Sequence, residues 1–257
     1  MLTSNPFSEL SSLIPPAGMQ TYVVVMFLLV VGATILDVIH KKSAKYFFEK
    51  MKTAKERRAQ PLSSATVVSV SVKTVVHDIL TSAEFDNPQR RKAHLLTMYG
   101  FILFVVTTVI MIFSYPTPET PTPALVALLW HVGALMVCVG GYWFWFKMRV
   151  DVAAEGHKWY RLIPADLFIL SLLATTTLAL IWSLFGGTFL FALFIFASTV
   201  LFGSVFWSKF AHMFFKPAAA FQKRFAEADG SRDNLPEPAD KPAQFGLGIK
   251  RDLPRHY

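Results

Sequence analysis

The feature that most constrains this chain is the length of its apolar runs. Five stretches are apolar for about twenty residues or more, the length a helix needs to cross the hydrocarbon core of a bilayer. They run from about Gln20 to Ile39, Ala93 to Phe113, Ala124 to Phe146, Pro164 to Leu184 and Thr188 to Phe215. Charged residues make up only 16% of the chain, against roughly 25% in soluble domains. The expected fold is therefore all-α, a polytopic membrane helix bundle with five transmembrane helices. The third stretch carries "WHVGALMVCVGGYWFWF", with small residues for close helix contact and an aromatic band at its end.

The cations set the orientation. None of the 25 Lys and Arg residues lies in the amino-terminal segment, in "SYPTPETPTP" or in "FGG". They fall in the loop after the first stretch, in the loop after the third, and at or beyond the end of the fifth. The positive-inside rule makes those segments cytoplasmic, with the amino terminus outside and the carboxyl terminus inside. The expected division is an external segment over 1–19, a five-helix membrane domain over 20–216 with a cytoplasmic loop at 41–92, and a cytoplasmic tail over 217–257. The net charge of +8 is thus placed to meet a membrane, not nucleic acid. The opening "MLTSNPFSELSSLIPPAG" has no basic region of the kind a cleaved leader carries.

Two loop segments have a character of their own. "KKSAKYFFEKMKTAKERR" reads as a helix extension or as an interfacial segment against anionic lipid. "SSATVVSVSVKTVVHDILTS" places Val68, Val72, Val75, Val76 and Ile79 at helical spacing. Its β-branched content competes for a strand, and a short amphipathic helix on the inner surface is the expectation. The closing "DGSRDNLPEPADKPAQFGLGIKRDLPRHY" is rich in Pro, Gly and charge and should be extended. Such a tail either lies along a partner or is idle.

The chemistry rests on histidines. The lone cysteine, Cys138, excludes an internal disulfide, a cysteine zinc site and an iron–sulfur cluster. No HExxH or GxSxG pattern is present, which disfavours a membrane-embedded hydrolase, and no catalytic residue is expected. His94 opens the second stretch in "RRKAHLLTMYGF" and His212 closes the fifth in "SKFAHMFFKP". Both fall at the cytoplasmic end, at depths that agree to within about one helical turn. Two imidazoles so placed suit the axial positions of one b-type haem. Arg90, Arg91, Lys92, Lys209 and Lys216 stand where propionates would need cations, and Gly100 offers room for a porphyrin edge. Each histidine is equally consistent with an interfacial side chain. His40 is an alternative ligand, and Met98 or Met213 a lesser one. Trp130 and His131 read as an interfacial pair anchoring the third helix, or as a contact for a quinone carbonyl. His77, His157 and His256 are expected in solvent. A small transporter is disfavoured, because the stretches hold almost no ionisable residue; Asp37 and Asp166 lie near their ends.

The stretch "VHDILTSAEFDNPQRRKAHLLTMYGFILFVVTT" resembles the membrane b-type cytochrome subunits of respiratory nitrate reductase (gamma), heterodisulfide reductase and quinone-interacting oxidoreductase complexes. "WSKFAHMFFKP" looks like their last helix. In size and in lacking a cluster domain, the chain is also similar to the membrane anchor subunits of dissimilatory adenylylsulfate reductase from sulfur-oxidising bacteria. The resemblance implies that His94 and His212 are the pair holding a cytoplasmic-side haem. The second haem pair does not carry over, since Phe104 and the region of Phe194 occupy its positions. It further implies electron transport between a quinone and cytoplasmic flavin and iron–sulfur subunits, in the sulfur metabolism of a bacterial inner membrane. A haem-free tether or quinone-site subunit would share these features.

Overall fold

The computed structural model describes residues 2–40, 49, 52–53, 56, 61–83, 85, 87–150, 158–207, 212–230, 244–245 and 249–250, with the backbone alone for 212–216 and the last four. A short helix, α1 (Pro6–Glu9), is followed by one tight turn of helix at Leu10–Ser12. Then come α2 (Pro16–His40), α3 (Ser64–Lys73) and α4 (Pro88–Ser114). Next are α5 (Ala124–Trp143), α6 (Leu167–Phe185), α7 (Thr188–Gly203) and α8 (His212–Ala228). Gln244–Phe245 and Ile249–Lys250 pair antiparallel as two-residue strands, β1 and β2. The "TVVHDIL" and "FWFKM" segments extend α3 and α5 as wider π-helical turns. The β-branched content of α3 does not make a strand. Ser63 caps its start, accepting from the Thr66 amide at 3.1 Å.

Four helical spans are long and apolar enough to cross a membrane: Pro16–His40, Pro88–Ser114, Ala124–Met148 and Pro164–Phe185. The chain is an all-α, multi-pass membrane protein. Large apolar side chains stay exposed along these helices, among them Phe27, Ile39, Ile102 and Leu135. In lipid those positions need no cover. α7 is shorter, ending at Gly203, and the Trp207 amide donates to the Ser204 carbonyl at 3.0 Å in the turn that follows. The apolar run expected to continue to Phe215 is therefore broken at a Gly-Ser pair, where helix propensity falls. His212 opens the separate helix α8, so residues 217–228, expected in the tail, are helical.

Small residues set how closely α4 and α5 approach. A methyl group added at Gly100 would sit 2.7 Å from Met136 Cβ and 2.8 Å from the Gly133 carbonyl oxygen. One at Gly140 would meet the Ala93 carbonyl oxygen at 2.6 Å. α6 folds back onto α7 through Gly186 and Gly187, whose φ of 69° and 89° are open to glycine at no steric cost. α2 docks on α7, its Tyr22 hydroxyl 3.3 Å from the Ile195 carbonyl oxygen and 3.1 Å from Thr199 Oγ1.

The end of the bundle without Lys or Arg is closed by the amino-terminal segment. Asn5 caps α1, and its side-chain amide donates to the Tyr115 carbonyl at 2.9 Å and to Thr122 Oγ1 at 3.0 Å. Phe7 is buried edge-on against Trp130 and Trp182, with ring centroids 5.7 and 5.2 Å away, and beside Phe194. At the basic end the connection from α5 to α6 is pinned by Arg149, which is fully buried. It pairs with Asp166 through Nε at 3.1 Å and through Nη2. It also donates to the carbonyls of Lys158 at 2.9 Å and Arg161 at 2.5 Å, and lies 4.2 Å over the Trp145 ring.

Candidate functional site

Among the described residues, His40, His94, Arg91 and Lys92 lie at the basic end. Asn87 starts α4 by accepting from the amides of Gln89 and Arg90 at 2.8 and 3.3 Å, with Pro88 in the first turn. That cap sets the phase of everything after it. Ala93, Gly100, Phe104 and Met111 are buried, and Gly100 lies on α5. His94 and Phe101, seven residues apart, share another stripe. Phe101 meets Phe202 of α7 at 6.4 Å between ring centroids. About 10 Å nearer the basic end, His94 packs its ring against Phe85 at 5.0 Å. His40, the alternative ligand at the end of α2, packs on Phe206 at 5.7 Å. His94 and His40 thus stand on helices that each touch α7 or the turn after it, through Phe101 on Phe202 and His40 on Phe206.

The cations around His94 are engaged or exposed in different ways. Arg91 donates from Nε to the Thr81 carbonyl at 2.7 Å, and the Tyr99 hydroxyl donates to the Leu80 carbonyl at 2.6 Å. Together they hold the end of the α3 segment against α4. Lys92 is exposed. Phe85, Pro88, Arg91, Lys92 and Leu95 line a surface cleft of about 290 Å³. The room at Gly100, expected for a porphyrin edge, holds the backbone of α5. Lys209 and the side chains of His212, Met213 and Lys216 lie outside the described residues, as do His157 and His256. Among the described residues, no three His, Cys, Asp or Glu side chains are grouped to hold a metal ion. A haem iron takes two protein ligands, and imidazole is the right donor for it.

His131 is not at an interface. It is buried, with Nδ1 2.7 Å from the Ala127 carbonyl oxygen and Nε2 2.5 Å from Ser183 Oγ. Trp130 is buried beside it and donates to Thr108 Oγ1 at 2.8 Å. Both are enclosed because the amino-terminal segment covers this end of the bundle. The pair therefore ties α5 to α4 and α6.

His77 is exposed, as expected, and also belongs to a contact that joins α3 to α8. Its Nδ1 lies 3.0 Å from Asp78 Oδ1 and 3.2 Å from Nη2 of Arg224 on α8. Arg224 grips the Asp78 carboxylate through Nε and Nη2, the latter at 2.6 Å. Asp78 and Arg224 are 146 residues apart, so no local pattern announces them. The Arg224 hydrogen bonds hold the Asp78 carboxyl at about 2, below its ordinary 3.8, against the opposing effect of burial. A depressed carboxyl stabilises the contact above its unfolded value, and the contribution fades as pH falls through about 2. Pepsin should therefore reach Phe221 and Phe225 of α8 increasingly as the pH falls from about 4 to 2. Asp78→Asn should already be cut there at pH 4, with little further rise on acidification. Equal cleavage of both proteins throughout would remove the contact as the docking element.

No family model matches the chain, and no curated protein or solved structure matches it.

Proposed function

We propose that this chain anchors a cytoplasmic oxidoreductase to a bacterial inner membrane and relays electrons between it and the quinone pool through one b-type haem. Five helices cross in this reading, α7 completing its passage with the turn at Ser204–Trp207. The amino terminus is outside and the carboxyl terminus inside in this reading, because segments 1–19, 115–123 and 186–187 hold no Lys or Arg. The observation that supports the reading is the Phe101–Phe202 contact, which sets the helix that carries His94 against the end of α7. His94 and His212 would hold the iron, with His40 as the alternative. Arg91, Lys92 and Lys209 would neutralise propionates or meet an acidic partner. When bound, the haem supplies a one-electron carrier; bond chemistry belongs to the flavin and iron–sulfur partner. Adenylylsulfate reductase is the partner that the resemblance names.

Two observations favour a second reading, a haem-free tether or quinone-site subunit. The space at Gly100 is filled by α5, and the His94 ring already packs on Phe85. A dithionite-reduced minus oxidised spectrum with pyridine haemochrome quantification separates the two. The relay requires a b-type spectrum near one haem per chain, lost in His94→Ala without loss of membrane insertion. An unchanged haem content in His94→Ala would remove the ligand assignment. A folded protein made with ample haem yet carrying none would leave the tether.

A further inference from the structure

α3 has three faces, and the third has no protein against it among the described residues. Thr74 is fully buried, on the side where Asp78 takes Arg224 of α8. Ser69, Lys73 and His77 are exposed and polar. Between these lies an exposed apolar stripe of Val68, Val72, Val75, Val76 and Leu80, with Val68 at 62% and Val72 at 56% exposure. The far end of the stripe is fixed in depth. The Leu80 carbonyl accepts from the hydroxyl of Tyr99, a residue of the membrane-spanning α4, and the Thr81 carbonyl accepts from Arg91. A phenol pointing out of a spanning helix marks the level of the headgroups. Leu80 is thus tied to a residue type enriched at that level, and the valines run away from it along the same helix.

We propose that α3 lies in the interface of an anionic leaflet, with this stripe in the acyl boundary and Lys73, Arg91 and Lys92 at headgroup level. A helix with one apolar stripe and a polar stripe that carries Lys73, with Arg91 of α4 held to Thr81 beside it, suits an anionic lipid interface. The proposal rests on the chain spanning a membrane but not on its orientation or on haem, so its test is separate from theirs. The probe is a nitrobenzoxadiazole label at Val72→Cys, with Ser69→Cys as the polar-stripe control. Both positions are exposed, and the native Cys138 is buried. The full chain is placed in nanodiscs of phosphatidylcholine, with and without phosphatidylglycerol, carrying lipids spin-labelled near the top of the tail. The Val72 label should be quenched roughly threefold more than the Ser69 label, and more deeply with phosphatidylglycerol. Equal quenching at the two positions would overturn the proposal. So would a Val72 label equally shielded in lipid-free amphipol, which would mean that protein covers the stripe. Quenching indifferent to phosphatidylglycerol would overturn the anionic preference.

Discussion

Replacing Arg149 by alanine should destabilise the bundle by about 3–5 kcal/mol, the usual consequence of leaving a buried charge without its partner. Asp166 is itself buried, so its carboxylate would have lost its countercharge, and the Lys158 and Arg161 carbonyls would each lose a donor. An apparent melting temperature lower by on the order of 10 °C in detergent should result. Arg149→Lys should recover little of it. An ammonium cannot span a carboxylate through two nitrogens and also reach two carbonyls. Arg149→Met combined with Asp166→Leu should recover much of it, because the pair's main contribution is mutual neutralisation. A melting temperature unchanged in Arg149→Ala would show that the clamp carries no stability.

The second large effect is at the α4–α5 contact. Gly100→Leu and Gly133→Leu should each cost about 1–3 kcal/mol or more by forcing the two helices apart. A methyl group at Gly133 alone would come within 2.7 Å of the Phe104 amide nitrogen, and neither neighbour is the movable end of a side chain. Gly32→Ala is the contrast. Nothing lies within 4 Å of its added methyl, and a helical Gly-to-Ala change should stabilise by about 0.5–1 kcal/mol. Thermal unfolding of the purified variants decides the point. Equal tolerance at Gly100 and Gly32 would mean that the close approach is not needed for stability.

The apolar helices were legible in the sequence because spanning a bilayer imposes a length that nothing else in a chain this size requires. The start at Ala124 matches the expectation, whereas α4 begins at Pro88, five residues before the expected Ala93, because Asn87 and Pro88 open the helix. The end of α7 did not read out, since hydropathy continues through "SVFW" after helix geometry has stopped. The amphipathic spacing of α3 was legible, and its extension as a wider π-helical turn was not. Contacts made by chemistry at long range were the least legible. Asp78 and Arg224, or Asn5 and Thr122, are ordinary surface residues until the fold brings them together. Asp166 looked like a helix opener, whereas its larger role is to receive Arg149. Gly100 was singled out as room for a porphyrin edge, and periodicity alone could not say that another helix takes the room.

The aromatic closure around Phe7 has a consequence for how the protein is made. Phe7 leaves the ribosome long before Trp130, Trp182 and Phe194, the rings it seats among. Phe7 therefore completes its contacts only after Phe194 of α7 has been made. During that interval Phe7 and the unsealed faces of Trp130 and Trp182 are what an insertase or a membrane chaperone would meet.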